Sequence, residues 1–228
     1  MPMKGGETDG YREIDRWDRG VGWIAYPEEA MQRASHALVG DDGGVWVVDP
    51  VDAPGVDDLL AELGDVAGVV VGLDRHKRDA AALATRHDAP VYVPQWMTGV
   101  ADALDAPVEW FGGELAGSGF EAFRIRDSGV PPWQEVGLSH PDEGTLVVPE
   151  ALGTAAYFCA PGEPLGVHPM LRPVPPRRAL SRFDPERVLV GHGAGVSTDA
   201  GHALRAALDN ARSNLPGAYG RAIKELLS

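Results

Sequence analysis

Two short apolar runs in this chain stop abruptly at polar clusters, and each leads into a segment patterned as a helix. The first is Val69-Val-Val-Gly-Leu-Asp-Arg75-His76-Lys77-Arg78-Asp79-Ala80; the second is Val188-Leu-Val-Gly-His192-Gly. An apolar run with no polar alternation, bounded by turn residues, reads as a strand buried on both faces. Such strands lie inside α/β folds, and those folds keep their polar chemistry at the strand ends. Here the ends supply His76, Asp79 and His192, flanked by Arg75 and Lys77.

The rest of the chain fits around these two strands. Residues 1–20 are polar and Gly-rich and read as a flexible arm, leaving 21–228 as one domain. Trp23–Tyr26 is a short strand candidate. Ala34–Val39 and Val45–Val48 flank Asp41-Asp-Gly-Gly44 and predict a hairpin, with glycine supplying the positive φ of the turn. Helical spacing predicts helices over 57–63, 79–87 and 178–183 and over the segment holding Ala203, Leu204, Ala207 and Leu208, with Ser197 or Thr198 as cap of the last. Val91–Val93 is a further strand. Phe120–Ile125 alternates with period two, and Trp133–Leu138 and Thr145–Val148 form a second hairpin. Residues 160–176, rich in Pro and Gly, read as a long surface loop. Strands and helices mixed in this order predict an α/β or α+β sandwich with helices outside, not an alternating parallel sheet.

Composition narrows the function. The chain has 228 residues, 34 acidic and 20 basic side chains and a formal net charge of −14. Nucleic acid is excluded as an expected partner, because binding it needs clustered Lys and Arg. No apolar run approaches the roughly 18 residues of a membrane span, and residues 1–10 lack the apolar core of a signal peptide; the expected location is cytoplasmic. The single Cys159 excludes an internal disulfide and an all-thiolate zinc site, and with no basic neighbour it reads as a core residue. Arg172, Arg177, Arg178, Arg182 and Arg187 cluster among prolines; ion pairing with the acidic surface is their first reading and an anion-binding lip the second. His36 reads as a satisfied strand histidine, His140 as exposed, and His87, His168 and His202 as surface or loop residues. Gly191–Gly195 lacks the following strand of a dinucleotide fingerprint, and no Gly-x-Ser-x-Gly elbow is present.

Taken in order, these parts resemble the metallo-β-lactamase-fold hydrolases. Trp46-Val-Val-Asp49 is similar to the family's early strand that ends in Asp. Val69–Ala80 stands in the place of its His-x-His-x-Asp-His motif, Thr145-Leu-Val-Val-Pro149-Glu150 in that of the strand leading to its bridging aspartate, and Val188–Gly193 in that of the strand ending at its last His ligand. The resemblance runs from about Ser35 to Leu208 and implies a four-layer αβ/βα sandwich. It also implies a degenerate site. With Asp79 on the motif's Asp, Arg75, Lys77 and Ala80 stand where histidines would, and Asp127–Trp133 holds no His.

Two functions follow from this reading. In one, the dinuclear zinc site is largely lost and the old pocket binds a small anion or a partner without metal, or with altered metal chemistry. In the other, one Zn, Fe or Mn ion is held by Asp79, Glu150, His192 and His76, and the protein hydrolyses a small ester, thioester or amide. His192, Asp79, His76 and Arg75 are then the expected catalytic residues, with Lys77 and Trp133 contacting substrate. Metal-free general-base catalysis by His76 or His192 ranks last, because no nucleophile accompanies them.

Overall fold

Alternate residues of the central strands enter different cores, and this organises the whole molecule. In the computed structural model, which describes residues 8–227 with side-chain detail through residue 221, seven strands form the first sheet. They are β1 (Arg12–Trp17), β2 (Gly20–Ile24), β3 (Ala34–Val39), β4 (Val45–Val48), β5 (Val66–Val70), β6 (Val91–Pro94) and β7 (Val108–Phe111), lying side by side in that order. β1 to β4 are antiparallel neighbours, whereas β4 to β7 pair in parallel. Parallel pairing requires crossovers. Two are helices, α1 (Val56–Ala61) between β4 and β5 and α2 (Ala80–Arg86) between β5 and β6.

The second sheet holds β8 (Glu121–Gly129), β9 (Pro132–His140), β10 (Thr145–Val148) and β13 (Arg187–Val190), in the order β13-β10-β9-β8. A small ribbon of β11 (Leu152–Gly153) and β12 (Gly166–Val167), then α3 (Arg177–Leu180), fill the connection before β13. After β13 come α4 (Ala200–Asn210) and α5 (Leu215–Leu227).

Val45, Val47, Val69 and Val71 face α1 and α2, while Trp46, Val48 and Val70 enter a middle core. That middle core is completed from the other sheet by Val136, Leu138, Val147 and Leu189. Leu146, Val148, Val188 and Val190 face away from it, onto Ala203, Leu204, Ala207 and Leu208 of α4. The layers therefore run helix, sheet, sheet, helix, and the runs Val69–Val71 and Val188–Val190 are covered on both faces, as their sequence predicted.

Several boundaries differ from the sequence expectation. Residues 1–7 lie outside the described residues, but Arg12–Trp17, expected within a flexible arm, form edge strand β1 on β2. Its polar alternation suits a strand with one face in solvent, and composition alone hides such a strand. β7 was not predicted; as an edge strand with Trp110 exposed, it carries little apolar signal. Neither Ser197 nor Thr198 caps α4: the N-cap is Asp199, at φ 50°, without a side-chain capping bond. The Pro/Gly-rich stretch 160–176 is not all surface, since β12 and the buried His168 and Arg172 lie within it.

Candidate metal centre

The ends of β4, β5, β10 and β13 meet at one cleft. Asp49 follows β4, His76 sits in the turn after β5, Glu150 follows β10 and Pro149, and His192 follows β13 through Gly191. His76, Glu150 and His192 are all buried, and one ligand atom from each lies within 4.8 Å of the others. Met31, Arg33, Arg75 and Arg78 complete the lining of a cavity of about 460 Å³.

Glycine is required beside His192. A Cβ on Gly191 would collide with the Pro149 carbonyl, and Gly193 has φ 89° and packs on Thr154. The two glycines thus let the His192 loop pack against the segment that carries Glu150.

Each ligand candidate is oriented from behind. His192 Nδ1 lies 2.8 Å from the Met31 carbonyl; a carbonyl only accepts, so the proton sits on Nδ1. Burial is the largest influence on His192 and lowers its pKa, against the opposing pull of Glu150. Its Nε2 lies 2.7 Å from Glu150 Oε2, a hydrogen-bond distance at which ring and carboxylate share a proton when no cation lies between them. His76 Nδ1 lies 2.9 Å from Asp49 Oδ2, and its Nε2 is 3.1 Å from the same Glu150 oxygen. Burial would raise the Glu150 pKa, but His192 and His76 outweigh it and hold the carboxyl ionised, well below its usual range. An imidazole whose outer nitrogen is held by a carboxylate or carbonyl presents the other as a ligand, as in carboxylate–histidine–metal arrangements. Two imidazole nitrogens and one carboxylate oxygen thus converge on one point, where a metal ion can take the place of the shared proton.

The supports of Glu150 lie deeper. Glu135 is fully buried and accepts from the backbone N–H groups of Glu150 and Ala151, both at 2.8 Å, and from Trp133 Nε1 at 2.8 Å. Burial pushes its pKa up to about 7 against those three donors. The other Glu150 oxygen is 3.4 Å from Arg75 and 3.5 Å from His168 Nε2. His168 Nδ1 accepts from Met170 N–H, so Nε2 carries the proton; burial lowers its pKa to about 4. Arg78 donates to three backbone carbonyls, those of Ala34 at 2.6 Å, Asp49 at 2.7 Å and Gly191 at 3.1 Å. It ties together the ends of β3, β4 and β13.

Of the residues expected from sequence, His76, Glu150, His192 and Arg75 come together. Asp79 stands outside the three-residue cluster: its Oδ2 accepts from Asp52 N–H at 2.8 Å and closes the loop before α1. Lys77 is held on the Asp74 carbonyl at 2.8 Å and does not line the cleft. Trp133 is 2% exposed and lies in the helix-side core, its ring under the Arg75 guanidinium at 4.3 Å. His140 and His168, read as exposed or surface residues, are 2% and 5% exposed. Cys159 is buried as expected, and burial pushes its thiol up to about 11. Asp49, Arg78, Glu135 and His168 are site residues that sequence reasoning missed. Asp49 alone carried a signal, as the polar residue that ends a buried strand.

No protein-family model matches the sequence, and no curated protein matches it. Solved structures do. The DIM-1 metallo-β-lactamase, crystallised after exposure to ceftazidime, aligns with TM-score 0.62 at 13% identity over 90% of this chain and 100% of its own. A metallo-β-lactamase from Pontibacter korlensis gives TM-score 0.62 at 12% identity, covering 88% and 99% of the two chains. A protein crystallised in a di-iron-bound form gives 0.51 at 21% identity, covering 75% and 92%. At such identities the shared property is the path of the backbone. The helix–sheet–sheet–helix layering and the cleft at the strand ends belong together: this chain has the metallo-β-lactamase fold.

Proposed function

We propose that the cleft holds a single divalent metal ion, Zn, Fe or Mn, on His76, His192 and Glu150, and that the protein hydrolyses a small anionic ester, thioester or amide. One observation carries this reading: two imidazole nitrogens, their tautomers set by Asp49 and Met31, face one ionised carboxylate oxygen. Two histidines and one carboxylate are a known ligand set for hydrolytic zinc and suit iron or manganese equally. A bound ion would lower the pKa of water and polarise the scissile carbonyl.

The chain's own residues do the remaining work. Asp49 and the Met31 carbonyl keep the rings aimed. Glu135 fixes the backbone of Glu150. Arg75 is 42% exposed at the mouth, with contacts of 3.4 Å to Asp74 and Glu150. Long contacts and exposure leave its remaining N–H groups free for a carboxylate or phosphate on the substrate. The cleft volume suits a small molecule. Small-molecule chemistry also agrees with the acidic surface, which disfavours nucleic acid, and among the described residues no helix is long and apolar enough to cross a membrane.

A second reading rests on charge. Arg33, Arg75 and Arg78 face Glu29, Asp49, Asp74 and Glu150 at the cleft, three cations against four carboxylates, so most of its charge is compensated without an ion. A metal-free pocket of that kind binds a small anion or a partner. Elemental analysis of untagged protein purified without chelator separates the two. The expected result is about one Zn, Fe or Mn per chain, lost in His76→Ala and in His192→Ala, with EDTA-sensitive hydrolysis of an ester or thioester panel. Metal content unchanged in His192→Ala, or no uptake on titration, refutes the metal reading and leaves the metal-free pocket.

A further inference from the structure

We propose that a second cavity, between edge strand β8 and α3, is a binding site for a small phosphate monoester with an apolar body. It measures about 390 Å³ and shares no lining residue with the metal cleft. Arg126, Arg178 and Arg182 line it, over apolar ground that includes Phe123, Leu171 and Pro175.

The arginines are what mark this cavity. Elsewhere on this acidic chain many arginines find carboxylates, as Arg16 with Glu13, Arg19 with Asp41, Arg86 with Asp52 and Arg205 with Asp184, or backbone carbonyls, as Arg78 and Arg212 do. Of the four arginines in the cavity, three have neither. Arg126 has its Nε shielded from solvent without an acceptor. Arg178 makes no hydrogen bond or ion pair among the described residues. Arg182 stacks on Phe123 and Phe183, at 5.1 and 4.6 Å, and meets no carboxylate there either. Arg124 also lines the cavity but is engaged, with Asp127 at 3.0 Å and over Trp96 at 4.4 Å. Three unpaired guanidiniums around one depression, on a chain with 34 acidic residues, form a local positive field in a negative surround.

The shape of the ligand follows from that arrangement. One guanidinium satisfies a planar carboxylate through its bidentate fork. Three of them, from β8, α3 and the turn after α3, match the three free oxygens and double charge of a phosphoryl group. The leucine, proline and phenylalanine surface takes an apolar portion attached to it. A long polyanion is disfavoured, because it would leave the cavity onto acidic surface.

Calorimetric titration of the full, chelator-treated chain with phenyl phosphate at low ionic strength tests the proposal. Binding is expected to be one to one, to weaken with added salt, and to fall at least about tenfold in Arg178→Gln/Arg182→Gln, the loss of one or two charge-assisted hydrogen bonds. Both positions are exposed, and each single variant is titrated as well. Arg75→Gln, at the metal cleft, is expected to leave the affinity unchanged. Absent binding, equal affinity in the double variant, or a loss in Arg75→Gln instead overturns the assignment. So does inorganic phosphate binding as tightly as the phenyl ester, or an oligoglutamate peptide binding more tightly, which would make the cavity a protein-docking site.

Discussion

Arg78 is the cation built most tightly into the cleft, and Arg78→Met removes its charge and donors while keeping an apolar stem. Three carbonyls at three strand ends then lose their donor. Hydrogen bonds from a charged donor contribute about 1.5–3 kcal/mol each, giving a gross loss of roughly 4.5–9 kcal/mol. Two terms reduce it. The guanidinium no longer has to be desolvated, the influence that dominates its lowered pKa, and carbonyls at the cavity wall can take water. The net expectation is a loss of about 3–5 kcal/mol, the range for breaking a buried charged contact. Urea unfolding followed by tryptophan fluorescence and far-UV circular dichroism measures it, with the midpoint falling and the slope unchanged. Arg78→Lys restores charge but not the fork, so about 1–2 kcal/mol is expected back. A cost below about 1 kcal/mol for Met, or full rescue by Lys, would show that the three-carbonyl tie does not hold these strand ends.

Two further substitutions probe the buried ion network. Glu135 titrates near 7 when folded and near 4.5 when unfolded; the folded state keeps its proton longer, so this contribution is present below pH 4.5 and lost as pH rises through 7. Relative to Glu135→Gln, wild-type stability should therefore fall by about 2.5 kcal/mol between pH 5 and 8, and parallel pH–stability curves for the two proteins would refute this. Arg172 is fully buried, bonded to Glu163 and to the carbonyls of Val167 and Phe158. Arg172→Met should cost about 3–5 kcal/mol; Glu163 keeps the Asn214 side chain and the Ala160 N–H as donors, so adding Glu163→Met should recover no more than about 1 kcal/mol, and a double variant as stable as the wild type would contradict this.

Apolar patterning made the layers legible. Val45–Val48, Val69–Val71 and Val188–Val190 lack polar alternation because both of their faces are covered, and the helices between them follow from spacing. Edge strands escaped because one face meets water, so β1 reads as polar chain and β7 as loop. At the site, residues that end buried strands announced themselves: His192, Glu150 and, less directly, His76. Arg78 and Glu135 did not, because their roles depend on partners brought near by the fold. Glu135 sits mid-strand, where a carboxylate ordinarily marks the solvent side; its three donors come from one aromatic and one turn. Asp79 is a different case: its motif position suggests a site role, and the structure shows its Oδ2 accepting from the Asp52 backbone N–H, outside the three-residue cluster.

The loop carrying His192 is fastened to the opposite end of the chain. Gly195 N–H donates to Asp15 in β1 at 2.7 Å, Gly193 N–H to the Gln32 carbonyl at 2.8 Å, and the His192 ring is held on Met31. These contacts span 180 and 161 residues of sequence for Asp15 and Met31. Closing such spans is entropically costly and slow. During synthesis β1 to β7 can pair among themselves, but the cleft has no floor until residue 192 has left the ribosome and returned to the first strands. The molecule thus completes its chemistry last, and a chain interrupted between β7 and β13 has its first sheet but lacks His192, the residue that closes the centre.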